Sequence, residues 1–251
     1  MDLHVLRYRS VAAGSALGLV LGISLYGSVL ILPQYVQGSL GYTATLSGEL
    51  LVVRALAVLV LTPVAAMLAA GGRVDPRILV GAGFVLLGTS NAMLASITTA
   101  ETPFWTFANA LFVSGIGLAL IFVPPTVGVL GSVPLKDVPA AAAFFNLSRQ
   151  IGGSLAIAVL ITILVRADVR HHADLAGAMT LSSPATSQFL GARGGPNDPK
   201  ARATLDALVS SQSMVLAYAD TSRATALITF ALVPCVFFMR RPRKAVALAA
   251  R

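Results

Sequence analysis

Charged side chains are scarce in this sequence. They make up only 11% of the 251 residues, whereas 56% of the residues are hydrophobic. A soluble domain carries roughly 25% charged residues, because its surface is in contact with water. The hydrophobic residues are also gathered into blocks of about 20, the length that a helix needs to cross a bilayer core about 30 Å thick. These features exclude a soluble domain and predict an integral membrane protein.

Histidine and cysteine are almost absent, with three copies and one copy. No histidine lies within an apolar block, so a hydrolase acting inside the membrane has no general base there. His171 and His172 point about 100° apart on a helix and have no second ligand pair nearby, which favours a solvated helix end over a metal site. Cys235 has no disulfide partner. Since phosphate-binding loops and dinucleotide fingerprints are also missing, we predict no enzyme, no cofactor and no metal.

Alternation of polar and apolar residues with a period of two is missing as well, which excludes a transmembrane barrel. Helices satisfy every backbone N–H and C=O group within the lipid, so the predicted fold class is all-α. Turn residues separate the apolar blocks, and Asp75 followed by Pro76 is typical of a helix start. We predict six transmembrane helices, over residues 10–32, 44–69, 77–97, 104–130, 139–165 and 221–239.

Lys and Arg exceed Asp and Glu by 18 to 10, a net charge of +8. Cytoplasmic loops carry an excess of Lys and Arg, and the short segments 33–43 and 98–103 contain neither. We therefore predict an inner (plasma) membrane protein with residues 1–9 and the basic tail 240–251 in the cytoplasm. Anionic lipid is the expected partner of that tail, rather than nucleic acid.

Residues 166–220 form the longest polar segment and are predicted to be an extracytoplasmic loop. Their basic residues depart from the charge rule, which weakens as loops approach about 60 residues. We expect residues 166–180 to continue the fifth helix into water and residues 184–200 to form a loop rich in Ser, Pro and Gly. The spacing of apolar residues over 203–219 predicts a helix lying on the membrane surface.

A stripe of glycines marks the first predicted span. Gly14, Gly18 and Gly22 recur every four residues and share one helical face. Small residues let helix backbones approach closely in lipid, so close helix packing is the favoured interpretation. The alternative is a groove along which a substrate or a partner helix slides.

Two arginines lie inside predicted spans. Arg54 and Arg149 are each about ten residues from a helix end, where burial in lipid costs roughly 2.5–3.5 kcal/mol. Asn146, Arg149 and Gln150 have the spacing of one helical face. We predict that Arg54, Asn146, Arg149 and Gln150 line a substrate cavity; a purely structural role of Arg149 in packing is the alternative. Glu49 is a candidate proton site, although an interfacial position is favoured.

Six helices can form two inverted three-helix repeats, an arrangement found in transporters with central binding sites. Arg54 would then lie on the middle helix of the first repeat, and Arg149 on the middle helix of the second. Their similar depth predicts one shared central cavity.

Several motifs resemble those of a known family. They are LIFVP at residues 120–124, FNLSRQIGGS at 145–154, LPQYVQ at 32–37, LGYTAT at 40–45, and Gln212 with AYAD at 217–220. Together, and in this order over nearly the whole chain, they resemble the multidrug-efflux branch of the major facilitator superfamily, the EmrB/QacA drug:proton antiporters. Members often have Pro-Arg-Gly-Leu-Gly around the position of Arg54, where this chain has Val53, Ala55 and Ala57 instead of the proline and the glycines.

The resemblance implies a full transporter of fourteen helices, of which this chain would hold the last six, half of a major facilitator fold. It implies the C-terminal half of a proton-coupled exporter of amphipathic or hydrophobic small molecules, incomplete alone. The implied partners are the lipid bilayer, small amphipathic substrates, protons, and a missing N-terminal half or second membrane subunit. The alternative is a non-transporting membrane scaffold that binds partner helices.

Overall fold

The described part of the chain is helical. A computed structural model describes residues 15, 18–22, 25, 32–70, 74–97, 102–130, 134, 137–180 and 183–237, and no strand occurs among them. Residues 18–22 and 32–38 are helical. The later helices are α1 (Ala44–Ala70), α2 (Pro76–Ile97), α3 (Phe104–Leu130), α4 (Val138–Ala178), α5 (Pro184–Gly191) and α6 (Pro199–Phe237).

Four described helices are long and apolar enough to cross a membrane. They are Ala44–Ala69, Arg77–Ile97, Phe104–Phe122 and Val138–Ala178. They coincide with the second and third predicted spans, cover the first part of the fourth (residues 104–122 of 104–130) and contain the fifth. This confirms the all-α membrane fold class for the described residues. The predicted first span lies largely outside those residues. The sixth falls in the C-terminal part of α6, which is not one of the four, so the count of six stays a prediction.

Local hydrogen bonds explain where two of the helices begin. Asp75 Oδ1 accepts the backbone N–H of Arg77 at 3.1 Å, and the Asp75 carbonyl accepts the N–H of Ile78 at 2.9 Å. Thr43 Oγ1 accepts the N–H of Leu46 at 3.2 Å at the start of α1. The first N–H groups of a helix have no partner within it, so these side chains supply one. The helix start predicted at Asp75 is confirmed.

The helices pack in a defined order of neighbours. α3 lies between α1 and α2, α2 also packs against α6, and α6 packs against α4. Glycines allow the closest of these contacts. A Cβ on Gly83 of α2 would lie 2.7 Å from the carbonyl oxygen of Gly117 on α3, so the two backbones touch there.

A buried aromatic cluster joins residues 32–38 to α3 and α6. The Tyr35 ring meets the rings of Phe107 and Tyr218 edge-on, with centroids 5.8 Å and 5.1 Å away. Such edge-to-face pairs are favoured by the charge distribution of aromatic rings. Burial, and then the nearby Tyr42, raises the pKa of the Tyr35 hydroxyl to about 12, so Tyr35 is neutral at physiological pH.

Residues 166–220 differ in part from the prediction. α4 continues to Ala178, as expected for residues 166–180. Residues 203–219, however, are not a separate helix, because α6 runs unbroken from Pro199 to Phe237. Val209, Val215 and Ala217 are buried at 5%, 2% and 0% exposure. Of the residues whose spacing suggested a membrane-surface helix, Val209 is buried and Leu205 is half-buried, whereas Leu208 and Leu216 are exposed.

The stretch expected to be a loop also contains a short helix. α5 occupies Pro184–Gly191, with proline in its first turn, where the missing N–H costs nothing. Gly194 and Gly195 follow with positive φ angles of 107° and 96°, a backbone conformation that favours glycine, and they form the turn into α6. The side of the membrane on which this stretch lies stays a prediction.

Ion pairs join the C-terminal part of α4 to α6. Asp220 Oδ2 lies 3.0 Å from Arg170 Nη2 and 2.8 Å from His171 Nε2, and Asp220 Oδ1 lies 3.1 Å from Arg223 Nη1. We call these four residues the Asp220 cluster. The predicted position of His171 is a solvated helix end. Its ring is instead only 19% exposed and lies against a carboxylate of the neighbouring helix.

Candidate functional site

Arg54 lies on the face of α1 that packs against α3. It shares this face with the buried Ser47, Leu50 and Ala57, and is itself only 5% exposed. The helices are in close contact at this height, since a Cβ on Gly115 would lie 2.7 Å from the Arg54 carbonyl oxygen. The structure therefore places the Arg54 side chain inside the bundle.

The Arg54 guanidinium is unpaired. Neither Nη1 nor Nη2 has a hydrogen-bond partner among the residues that the structure describes. Glu49, the candidate proton site, is exposed near the start of α1, and the described ion pairs include neither residue. Leaving one member of a buried ion pair without its partner costs about 3–5 kcal/mol, because the charge has lost its hydration. Arg54 is therefore a cation that lacks a counter-charge within the described chain.

Arg149 has a different environment. It is half-buried, and its Cζ atom lies 5.5 Å from the centre of the Phe122 ring of α3. A guanidinium at this distance is attracted to the negative face of the ring. Asn146 and Gln150, predicted to share a helical face with Arg149, are both exposed. The described helices thus do not cover the polar strip of α4 formed by Asn146, Arg149 and Gln150.

The glycine stripe of the first predicted span is used in packing against α4. A Cβ on Gly18 would lie 2.9 Å from the carbonyl oxygen of Phe145, and a Cβ on Gly22 would overlap that of Arg149. On the other helix, a Cβ on Gly152 would overlap the carbonyl of Leu19. Close helix packing, the favoured interpretation, is confirmed for Gly18 and Gly22; Gly14 lies outside the described residues.

A small apolar cavity lies beside this contact. Its volume is about 10 Å³, roughly the room for one water molecule. Phe122 connects it to the site, because the same side chain lines the cavity and contacts Arg149. The lining is entirely apolar and comes from residues 21 and 25, α2 and α3: Leu21, Leu25, Leu87, Leu118, Ile121 and Phe122.

The two arginines meet the same face of α3 at different heights. Gly115, which contacts the Arg54 backbone, and Phe122, which contacts Arg149, are seven residues apart. Seven residues make two helical turns, a rise of about 10 Å. The predicted set therefore separates into a buried Arg54 and three residues on the open side of α4. That all four line one substrate cavity stays a prediction.

Two residues of this region were not assigned a role from the sequence. Phe122 belongs to one of the family motifs, which could have singled it out. Ser114 precedes Gly115 on α3; it is 1% exposed, and its Oγ has no hydrogen-bond partner among the described residues. A single serine in an apolar helix gives no signal in the sequence, since most such hydroxyls bond to their own helix.

Comparison with known proteins identifies relatives of the chain, although no family model matches it. It is 29% identical to the tetracycline resistance determinant of Streptomyces rimosus, over 88% of this chain and 62% of that protein. It is 25% identical to the multidrug export protein EmrB of Escherichia coli, over 96% of this chain and 47% of EmrB. It is 24% identical to the uncharacterized MFS-type transporter YhcA of Bacillus subtilis, over 73% of this chain and 34% of YhcA.

The chain spans between about a third and three fifths of the length of these relatives. The similarity covers most of the chain and includes the helices that carry Arg54, Phe122 and Arg149. These relatives are MFS-type and drug-export transporters that match most of the chain, which supports its resemblance to the multidrug-efflux branch of the major facilitator superfamily.

Proposed function

We propose that the chain is the C-terminal half of a proton-coupled exporter of amphipathic or hydrophobic small molecules. The observation that carries this proposal is the match to EmrB, in which 96% of the chain corresponds to 47% of a relative named as a multidrug export protein. A second half is expected to supply the remaining helices and the acidic residues for proton coupling.

The burial of the helices supports this proposal. Only 22% of the α1 span and 33% of the α4 span are buried, against 61% and 56% for α2 and α3. On α4 the open surface includes the polar residues Asn146, Gln150 and Ser154. Polar side chains facing lipid are unfavourable, so a polar strip favours a protein or aqueous neighbour. We propose that the second half faces this strip and that Arg149 and Phe122 lie beside the transport cavity.

The glycine stripe argues against the scaffold alternative. A scaffold that binds partner helices through Gly18 and Gly22 would need their face to be free. In the structure this face is filled by Phe145, Arg149 and Gly153 of the same chain. The glycine face is therefore occupied by a helix of the same chain and is not free to bind a partner helix. This favours the half-transporter.

We also propose that both chain termini are cytoplasmic, on the basis of the Lys and Arg distribution. Single cysteines introduced at positions 190 and 246, in a Cys235→Ser background, test this proposal. A thiol reagent that cannot cross the membrane should label position 190 in intact cells, and position 246 only after permeabilisation. The reverse labelling would contradict the orientation.

The chain alone is expected not to perform proton-driven export. Glu49 is the one acidic residue in the six spans predicted from the sequence. It is exposed near a helix end, which suits an interfacial position better than proton coupling. Purified chain in liposomes with an imposed pH gradient should move a fluorescent dye no faster than liposomes without protein. Adding a matching N-terminal half should produce movement that disappears when an ionophore collapses the gradient. Gradient-dependent export by the chain alone would contradict the prediction.

A further inference from the structure

Arg54 and Ser114 present unsatisfied hydrogen-bond donors inside the bundle. The two Nη atoms of Arg54 and the Oγ of Ser114 are buried and have no partner among the described residues. The two residues are at the same height, since Gly115, next to Ser114, contacts the backbone of Arg54. Buried donors without acceptors are strongly unfavourable, and a buried charge without a counter-charge more so. A ligand that brings both an acceptor and a negative charge would remove both penalties.

The chemistry of these donors suits a carboxylate. A guanidinium presents two parallel N–H groups, which match the two oxygens of a carboxylate. The Ser114 hydroxyl can donate a third hydrogen bond. Arg54 is only 5% exposed, so a side chain of another polypeptide does not reach it from the surface of the bundle. A small molecule would have to enter between helices to reach it.

The surroundings further along α3 are apolar. Leu118 lies four residues beyond Ser114, about 6 Å along the helix, and Phe122 lies eight residues beyond. Both residues line the small cavity described above. A molecule whose carboxylate lies at Arg54 would therefore place its apolar part against Leu118 and Phe122. Because the cavity is about 10 Å³, an alkyl chain has to displace the surrounding leucine side chains.

We propose that Arg54 and Ser114 bind the carboxylate of a small amphipathic molecule, with its apolar part directed along α3 toward Leu118 and Phe122. This inference rests on the proposed function, because it names a chemical class of substrate for the same protein. It assigns Arg54 to ligand binding rather than to helix packing.

Binding of radiolabelled octanoate to the purified chain in lipid nanodiscs tests the inference, with discs lacking protein as the background. Octanoate should bind saturably, and its dissociation constant should be at least tenfold lower than those of octanol and octylammonium, which share its alkyl chain. Arg54→Gln should weaken octanoate binding at least tenfold. Arg54→Lys keeps the charge but loses the paired N–H groups, and should weaken it by about threefold to tenfold. Ser114→Ala should weaken it by a few-fold.

Arg166→Gln is the matched control, because it removes an exposed arginine from α4. It should leave octanoate binding unchanged. Equal affinity for octanoate and octanol, or unchanged octanoate binding in Arg54→Gln, would overturn the inference. If Arg54→Gln does not fold, wild-type affinity in both Arg54→Lys and Ser114→Ala would overturn it equally.

The binding measurement involves no transport, so it separates this inference from the proposed function. Arg54-dependent octanoate binding without export by the two reconstituted halves would sustain the inference and contradict the proposed function. Export by the two halves, combined with octanoate binding that is unchanged in Arg54→Gln, would sustain the proposed function and contradict the inference.

Discussion

Replacing Gly152 by alanine is expected to lower the free energy of unfolding by about 3 kcal/mol, the upper end of the usual cost of overpacking. The added Cβ would overlap the backbone of Leu19, and a backbone cannot turn aside as a flexible side chain can. The helix that contains residues 18–22 would have to move away from α4. Unfolding of the purified protein in mixed micelles, titrated with a denaturing detergent, measures the change.

Gly177→Ala is the matched control, since Gly177 lies on the same helix and a Cβ there would meet nothing within 4 Å. Alanine is preferred over glycine in a helix by about 1 kcal/mol, so this variant should be as stable as wild type or more stable. Equal destabilisation by both substitutions would show that helix approach at Gly152 is not the cause.

Replacing Arg149 by leucine in a complete transporter is expected to reduce export by more than about tenfold, while membrane insertion stays normal. Leucine fills part of the space but removes the charge that lies over Phe122, a contact that contributes about 0.5–2 kcal/mol by itself. It also removes the hydrogen-bond donors beside Asn146 and Gln150. Dye efflux from cells, normalised to the amount of protein in the membrane, measures the effect.

Two further variants test whether the loss of export is specific to the charge of Arg149. Arg166→Leu removes an exposed arginine from the same helix and should leave export unchanged. Arg149→Lys keeps the charge and should retain part of the activity. Normal export by Arg149→Leu at normal protein levels would leave Arg149 with a role in packing only.

Helix positions could be predicted because they depend on local properties. The length of an apolar block is set by the bilayer, and the blocks end at turn residues. The predicted bounds 77–97 and 104–130 agree with α2 and α3 to within one residue. α6 was misjudged over residues 203–219 because its charged N-terminal part does not look like a continuation of an apolar helix. Its continuity depends on packing against α4, which involves residues distant in sequence.

The candidate site shows the same limit. Helical spacing predicted one polar face for Arg149, Asn146 and Gln150, which all lie on α4. Spacing within one helix does not tell which neighbouring helix covers a face, so the burial of Arg54 and the openness of Gln150 could not be read from it. The contacts of Asp220 with Arg170 and His171 likewise join residues about 50 positions apart, and no local sequence pattern predicts them.

In the predicted arrangement, in which α4 and α6 both cross the membrane, the Asp220 cluster limits how far its end of these two helices can move into the bilayer. α4 has 41 residues and α6 has 39, each about 60 Å long, twice the thickness of the hydrocarbon core. Such helices could slide along the membrane normal with little change in apolar contact. Arg170, Asp220 and Arg223 oppose this, because moving them into hydrocarbon would strip water from three charges. A thicker bilayer must therefore be accommodated at the opposite ends of α4 and α6 or by local thinning of the lipid, because the cluster does not enter the hydrocarbon.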